Sequence, residues 1–238
     1  MAAPNSPLRD EGGKALTDYP RPSIAVDIAV LTVAWDQLWV LLVHTPTGEE
    51  RLPGTFLHEG ETLERAVRRA LKVKAGVPAN NPQQFHVFDD PGRDDRGWVL
   101  SVAFMDAIRD DLIPRSERTR LVPVDKVPRL SYDHNEIINA AVERLREDYR
   151  VRPDPWHLLP DTAEGVLVRD LWTLHNAVAG GMDISQDTFR RRMLGAGLEG
   201  TGERRSEGPG KPAQVFAISA SPPESAPRSR PRRTPRTR

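Results

Sequence analysis

The sequence predicts an α+β fold followed by a smaller helix-rich unit, and three observations carry that expectation. Apolar β-branched runs are interspersed with amphipathic helical stretches over residues 23–150, the mark of strands and helices sharing one core. Val151-Arg152-Pro153-Asp154-Pro155 then interrupts the chain, because each Pro pushes its predecessor out of the helical region. Beyond it the order is helix, turn, helix and a Gly/Pro-rich hairpin. With 238 residues, 38% of them apolar, and five Trp, the chain can bury one large or two small cores.

Taken in order, residues 1–22 (MAAPNSPLRDEGGKALTDYPRP) read as a loose lead-in, polar and broken by Pro. Residues 24–33 and 38–43 read as two strands of a hairpin around Ala34-Trp35-Asp36-Gln37, the first buried on both faces. A helix follows over 62–75, with Leu63, Val67, Ala70 and Leu71 on one stripe, Thr62 as its cap and Gly76 as a left-handed stop. Further strands fit 85–88 and 98–107, and 135–148 reads as a second long helix. In the C-terminal unit, 163–179 reads as a helix with Val166, Leu167, Leu171, Leu174 and Val178 inward, ended by Gly180-Gly181. A shorter helix over 186–195 follows a Ser185 cap, and 214–218 is β-like. That order is the one found in a winged helix-turn-helix. The divisions are therefore 1–22, 23–150, the linker 151–155, 156–218 and a tail at 219–238.

Composition narrows the function. Cys is absent, which removes disulfides, thiolate metal sites and a Cys nucleophile. No apolar run approaches the roughly 18 residues of a membrane span, and the first 20 residues carry acids, Pro and Gly where a secretory signal needs an apolar block. A cytoplasmic protein with no membrane partner is expected. Basic and acidic residues balance at 34 each, so only the distribution of charge speaks to nucleic acid. The tail holds six Arg (228, 230, 232, 233, 236, 238) against Glu224 alone and reads as a disordered basic arm, either a solubility device or a weak tether to phosphate.

Two clusters carry candidate chemistry. In Asp89-Asp90-Pro91-Gly92-Arg93-Asp94-Asp95-Arg96-Gly97, the guanidinium forks of Arg93 and Arg96 suit diphosphate oxygens, although a solvated turn has the same composition; His44 and Arg51 flank the loop before residue 60 and can join the site, but nothing in spacing singles them out. On the helix at 186–194, Phe189 and Met193 fall on one side at about 100° per residue, Asp187, Thr188 and Arg191 on the other, and Arg190 and Arg192 flank. An apolar anchor with a basic outer face is what a recognition helix requires, with Gln186 and Thr188 at its groove-entering end, although a solvated helix with three Arg also fits. The segment 201–216 reads as a wing with Arg204, Arg205 and Lys211 available for phosphates.

Residues 60–77 (GETLERAVRRALKVKAGV) resemble the Nudix box, G-x5-E-x7-R-E-U-x-E-E-x-G-U, with U aliphatic. Glu61, Arg69, Leu71 and Gly76-Val77 fall in register; Thr55 replaces the opening Gly, and Ala70, Val73 and Lys74 replace three helix carboxylates. In that family the carboxylates hold divalent cations that activate water against a diphosphate, and hard cations need oxygen ligands. The resemblance therefore implies a retained pocket without hydrolysis, with no catalytic residue, no metal and no cofactor. The order Tyr19-Pro20-Arg21-Pro22, degraded box, Phe189-Arg190-Arg191, Thr201-Gly202-Glu203, Gly210-Lys211-Pro212-Ala213 is similar to the NrtR-type transcriptional regulators over about residues 19–218. It implies an N-terminal Nudix-like α/β/α sandwich joined to a winged helix, in a homodimeric repressor of NAD-related genes. Such a repressor binds double-stranded operator DNA and senses ADP-ribose or a related nucleotide. Contacts to DNA would come from Gln186, Thr188, Arg190, Arg191, Arg192, Arg204, Arg205 and Lys211, and contacts to the nucleotide from Arg51, Arg93 and Arg96. The alternatives are a Nudix hydrolase using Glu59, Glu61 and Glu64, or an adaptor that has lost both ligands.

Overall fold

A computed structural model describes residues 8–160, 162–206 and 210–219. The tail reading at 220–238, the first seven residues and the middle of the wing tip lie outside the described residues.

The first strand, β1 (Ser23–Ala34), turns through Trp35 and Asp36, both at positive φ, into β2 (Gln37–His44). A two-residue turn with left-handed conformations matches the twist of the paired strands. Short strands β3 (Glu50–Arg51) and β4 (Gly54–Phe56) follow, then α1 (Leu63–Ala70), β5 (Gln83–Phe88), β6 (Val99–Ala107), β7 (Thr119–Pro123) and α2 (His134–Val151). The sheet runs β3-β2-β1-β6-β5, with β4 paired to β1 and β7 to β2; β1 and β6 are parallel, and the other pairs antiparallel. Val26, Ile28 and Val30 of β1 meet Ala66, Val67 and Leu71 of the α1 segment on one face. Ala29 and Leu31 meet Ile137, Ala141 and Leu145 of α2 on the other. The expected burial of this strand on both faces is thus the sandwich itself.

The helix expected over 62–75 is an α-helix as far as Ala70 and a wider π-helical turn over Leu71–Ala75, closed by Gly76 at φ 68. Thr62 Oγ1 accepts from the backbone N–H of Arg65 at 3.3 Å, the cap the sequence indicates. Within the described part of the lead-in, Asp10 accepts from the N–H groups of Gly12 and Lys14, each at 2.9 Å, and closes residues 9–15 into a loop.

Beyond α2 come β8 (Val166–Leu167), α3 (Val168–Ala179), α4 (Gln186–Leu194), β9 (Leu198–Arg205) and β10 (Ala213–Ile218), with the three strands in the order β8-β10-β9. The helix expected from 163 starts only at Val168, because Val166 and Leu167 pair with Phe216 and Val215 of β10. Gly165, at φ 82, makes the turn into this strand, where a Cβ would stand 2.7 Å from the Phe216 carbonyl oxygen. The Thr201-Gly202-Glu203 turn is an irregularity inside β9, where the register against β10 shifts, Gly202 stands at φ 83 and Thr201 Oγ1 accepts from the Glu203 N–H at 3.1 Å. Val166, Leu171, Phe189, Met193, Leu198 and Phe216 form the core of this unit.

The junction is helix-free from Arg152, as its prolines require, yet it is clamped. Tyr149 donates to Asp154 at 2.8 Å, Trp156 Nε1 donates to Asp148 at 3.0 Å, and Asp154 accepts from the N–H groups of Leu158 and Leu159. Trp156, Leu174 and Val178 belong to the same core cluster as β1 and α2. Within the described residues no helix is long and apolar enough to cross a membrane.

Candidate ligand cavity and nucleic-acid surface

One edge of β1 is shared: β4 pairs residues Ala25 to Asp27, and β2 pairs Leu31 to Ala34. Beside the stretch held by β4 opens a cavity of about 280 Å³, and it brings together Arg51, Arg93 and Arg96, the three sequence-selected residues, with Lys74. Gly54 admits this geometry, since a Cβ there would lie 2.2 Å from an Asp27 carboxylate oxygen.

The three arginines are not equivalent. Arg93, with its side chain only 4% exposed, sets its fork on Asp133 (Nε to Oδ2 2.7 Å) and reaches Asp27 at 3.6 Å. Asp27 also accepts from Ser101 at 2.6 Å and faces His134 Nε2 at 3.5 Å. His134 Nδ1 accepts from the Leu52 N–H at 3.2 Å, which leaves the ring proton on Nε2, toward Asp27. Burial alone would raise the Asp27 carboxyl; hydrogen bonds from His134 and Ser101 and the Arg93 charge hold it below the ordinary range instead. Arg93 is therefore a buttress of the wall, with its fork already filled. Arg96 forks onto Asp94 at 2.8 and 2.6 Å and so lowers that carboxyl, yet its side chain is 52% exposed. Its guanidinium lies 5.0 Å from the Tyr132 ring and 5.3 Å from Phe56. Arg51 lies 5.1 Å from the same tyrosine ring, and its Nε is buried without a partner. Tyr132 sits at φ 60, a conformation unusual for an aromatic residue and of the kind held at binding sites. Sequence reasoning missed Tyr132, His134 and Phe56 as cavity residues, because no spacing links them to the arginines.

The box residues that remain in register have structural work. Arg69 forks onto Glu61 at 2.8 and 2.7 Å and binds the Thr55 hydroxyl and the Phe56 carbonyl, pinning the loop before α1. The bond from Arg69 holds the Glu61 carboxyl down at about 2. At the positions of the family's helix carboxylates, Ala70 is buried in the core, Val73 is 61% exposed and Lys74 lines the cavity. Glu64 is paired with Arg68 at 2.9 Å. A divalent cation does not fit this donor set: an ammonium stands where oxygens would have to converge. Among the described residues no three His, Asp or Glu side chains group as metal ligands.

On the winged unit, α4 buries Phe189 and Met193 against α3 and turns Gln186, Thr188 and Arg191 outward, behind a Ser185 cap that accepts from the Thr188 N–H at 3.3 Å. Arg191 pairs with Asp187 at 2.9 Å, and the half-buried Arg190 with the same carboxylate at 3.5 Å. Arg204 and Lys211 are exposed on the hairpin. Two expected DNA residues point elsewhere. Arg192 donates to the Arg150 carbonyl at 3.0 Å, capping the last turn of α2, where helix carbonyls lack partners. Arg205 donates to the Glu164 carbonyl at 2.8 Å and so ties the hairpin to the turn before β8.

A helix-flanked mixed sheet with this strand-loop-helix segment defines the class: the NUDIX domain profile matches residues 22–145, and the chain belongs to the Nudix family. Its similarity to particular proteins runs further. It is 27% identical over 216 residues to the ADPR responsive transcriptional repressor NtrR of Acinetobacter baylyi, covering 85% of this chain and 84% of that protein. The crystal structure of Shewanella oneidensis NrtR complexed with a 27mer DNA superposes with a TM-score of 0.66 at 30% identity, over 82% of this chain and 93% of the other. An ADP-ribose pyrophosphatase of Methanocaldococcus jannaschii is 32% identical over 124 residues, which span 50% of this chain and 73% of that enzyme.

Proposed function

We propose that this chain is an ADP-ribose-responsive transcriptional repressor of the cytoplasm, with a sensor at 23–150, a junction at 151–155 and a DNA reader at 156–218. The observation that carries the reading is α2. Its first turn supplies His134 and, with Asp133 just before it, walls the cationic cavity; its last turn accepts Arg192 of the recognition helix. Eighteen residues at about 1.5 Å each make this a rod of about 27 Å between nucleotide and DNA surfaces. The similarity to the DNA-bound Shewanella regulator covers both units, whereas similarity to the pyrophosphatase covers half the chain, which favours regulation over hydrolysis.

In this reading Arg96 and Arg51 receive the diphosphate, Tyr132 and Phe56 offer aromatic faces, and Arg93 holds the wall. Gln186, Thr188, Arg190 and Arg191 meet the major groove, and Arg204 and Lys211 meet phosphates. Two-fold pairing of chains sets two recognition helices about 34 Å apart on a pseudo-palindromic operator. Ligand releases DNA by favouring a pairing geometry that misplaces them, a coupling of about 5–150-fold in affinity. Lys74 and the missing carboxylates leave the bound nucleotide uncleaved. Fluorescence anisotropy on duplexes from the neighbouring promoter region tests this: ADP-ribose should weaken binding, with no phosphate products formed in Mg²⁺. DNA affinity indifferent to ADP-ribose, or turnover near about 1 s⁻¹, overturns the reading.

A further inference from the structure

Behind the recognition helix lies a second cavity of about 240 Å³, enclosed by the last turns of α2, the end of α3 and the inner face of α4. Val178, Met182, Phe189 and Met193 give it an apolar floor, while Arg146, Arg150 and Arg192 bring three guanidinium groups to it against the single carboxylate of Asp183. Arg146 is already paired with Glu143 at 2.7 Å and donates to the Val178 carbonyl at 3.1 Å. Arg192 has a backbone carbonyl but no carboxylate, and the Arg150 side chain has no hydrogen bond or ion pair among the described residues. On the wall, His175 Nε2 donates to the Pro153 carbonyl at 2.6 Å and is thereby committed within the protein. Two guanidinium groups without carboxylates, over a greasy floor, form an incomplete arrangement, since such forks match the planar geometry of a carboxylate.

We propose that this cavity is a second ligand site, separate from the nucleotide cavity, for a small organic acid that sets its carboxylate on Arg150 and Arg192 and its apolar body on Met182, Phe189 and Met193. The floor of Val178, Met182, Phe189 and Met193 suits a hydrocarbon body rather than a ribose or a diphosphate, and a bare phosphate leaves it uncovered. An occupant sits directly behind α4, where it draws Arg192 from the carbonyl that fixes the helix to α2.

The test needs neither DNA nor ADP-ribose. Of the four methionines in the chain, Met182 and Met193 line the cavity and Met105 is buried in the sheet core outside it. In protein labelled with methyl-¹³C methionine, 3-phenylpropionate should shift the Met182 and Met193 signals together, with half-saturation at about 1 mM or below, and leave Met105 still. The neutral analogue 3-phenylpropanamide should fail, and Arg150→Ala, a change at an exposed and unpartnered side chain, should raise the half-saturation about tenfold or more. Signals unmoved at about 10 mM, an amide as effective as the acid, or Arg150→Ala titrating as the parent protein each overturns the proposal.

Discussion

In the sheet unit the arginines that line the cavity lie against carboxylates, Arg93 on Asp133 and Asp27, Arg96 on Asp94 and Arg51 on Glu49, and Arg69 pins the loop before α1 through Glu61. On the winged unit, Arg191 and Arg204 stand in solvent, the first sharing an aspartate one helical turn away and the second reaching only a carbonyl at 3.4 Å. The same residue type thus serves two ends. A buried, hydrogen-bonded guanidinium fixes geometry and is costly to remove; an exposed one contributes little to folding and stays available to a polyanion.

The sharpest way to break that contrast is Arg93→Met. It takes both forked bonds from Asp133 and a neighbouring charge from the buried Asp27, and a loss of about 3–5 kcal/mol in urea unfolding is expected. A loss under about 1 kcal/mol would mean that Arg93 is not a buttress. A smaller effect is expected at the seam between the units. Burial pushes the His175 ring down from 6.5 to about 4, so the unfolded chain takes up a proton that the folded one refuses. Stability from this group is complete above pH 6.5 and is lost as pH falls toward 4. Unfolding curves of the parent protein and His175→Gln should converge on acidification through that window, and a constant gap between them would refute the assignment. Least costly to the fold is Arg191→Ala: unfolding should change by no more than about 0.5 kcal/mol while operator affinity falls by about 1–3 kcal/mol. Arg205→Ala, whose guanidinium is held by Glu164, should cost DNA binding less than Arg191→Ala does.

The sheet unit was legible where the sequence is periodic. The β-branched runs of β1, β2 and β6, the stripe of α1 with its Thr62 and Gly76 boundaries, and α2 all declare themselves through local pattern. β3 and β4 span two and three residues, too few for any period to register, and they exist because β1 and β2 offer them edges. The cavity shows the same division. Arg93 and Arg96 could be selected by their guanidinium chemistry and the resemblance of their loop, and Arg51 by its place beside the loop before the box, whereas Tyr132 and His134 reach the cavity only because α2 lies against the same sheet. In the winged unit, the helical period told which way Arg192 faces but not that the last turn of α2 waits there.

The sequence by itself determined the classes of its two units, the presence of Ala70, Val73 and Lys74 where the box resemblance expects carboxylates, and the apolar anchor of α4, since each is written in residues within one or two turns of each other. Only the tertiary structure decided which arginines are structural and which are free, that the Pro-flanked junction is clamped into a shared core, and that a second cavity lies behind the recognition helix. Those outcomes depend on contacts between residues that are far apart in the chain, such as Arg93 with Asp133 and Arg192 with Arg150, and local periodicity carries no information about what an outward-facing side chain meets.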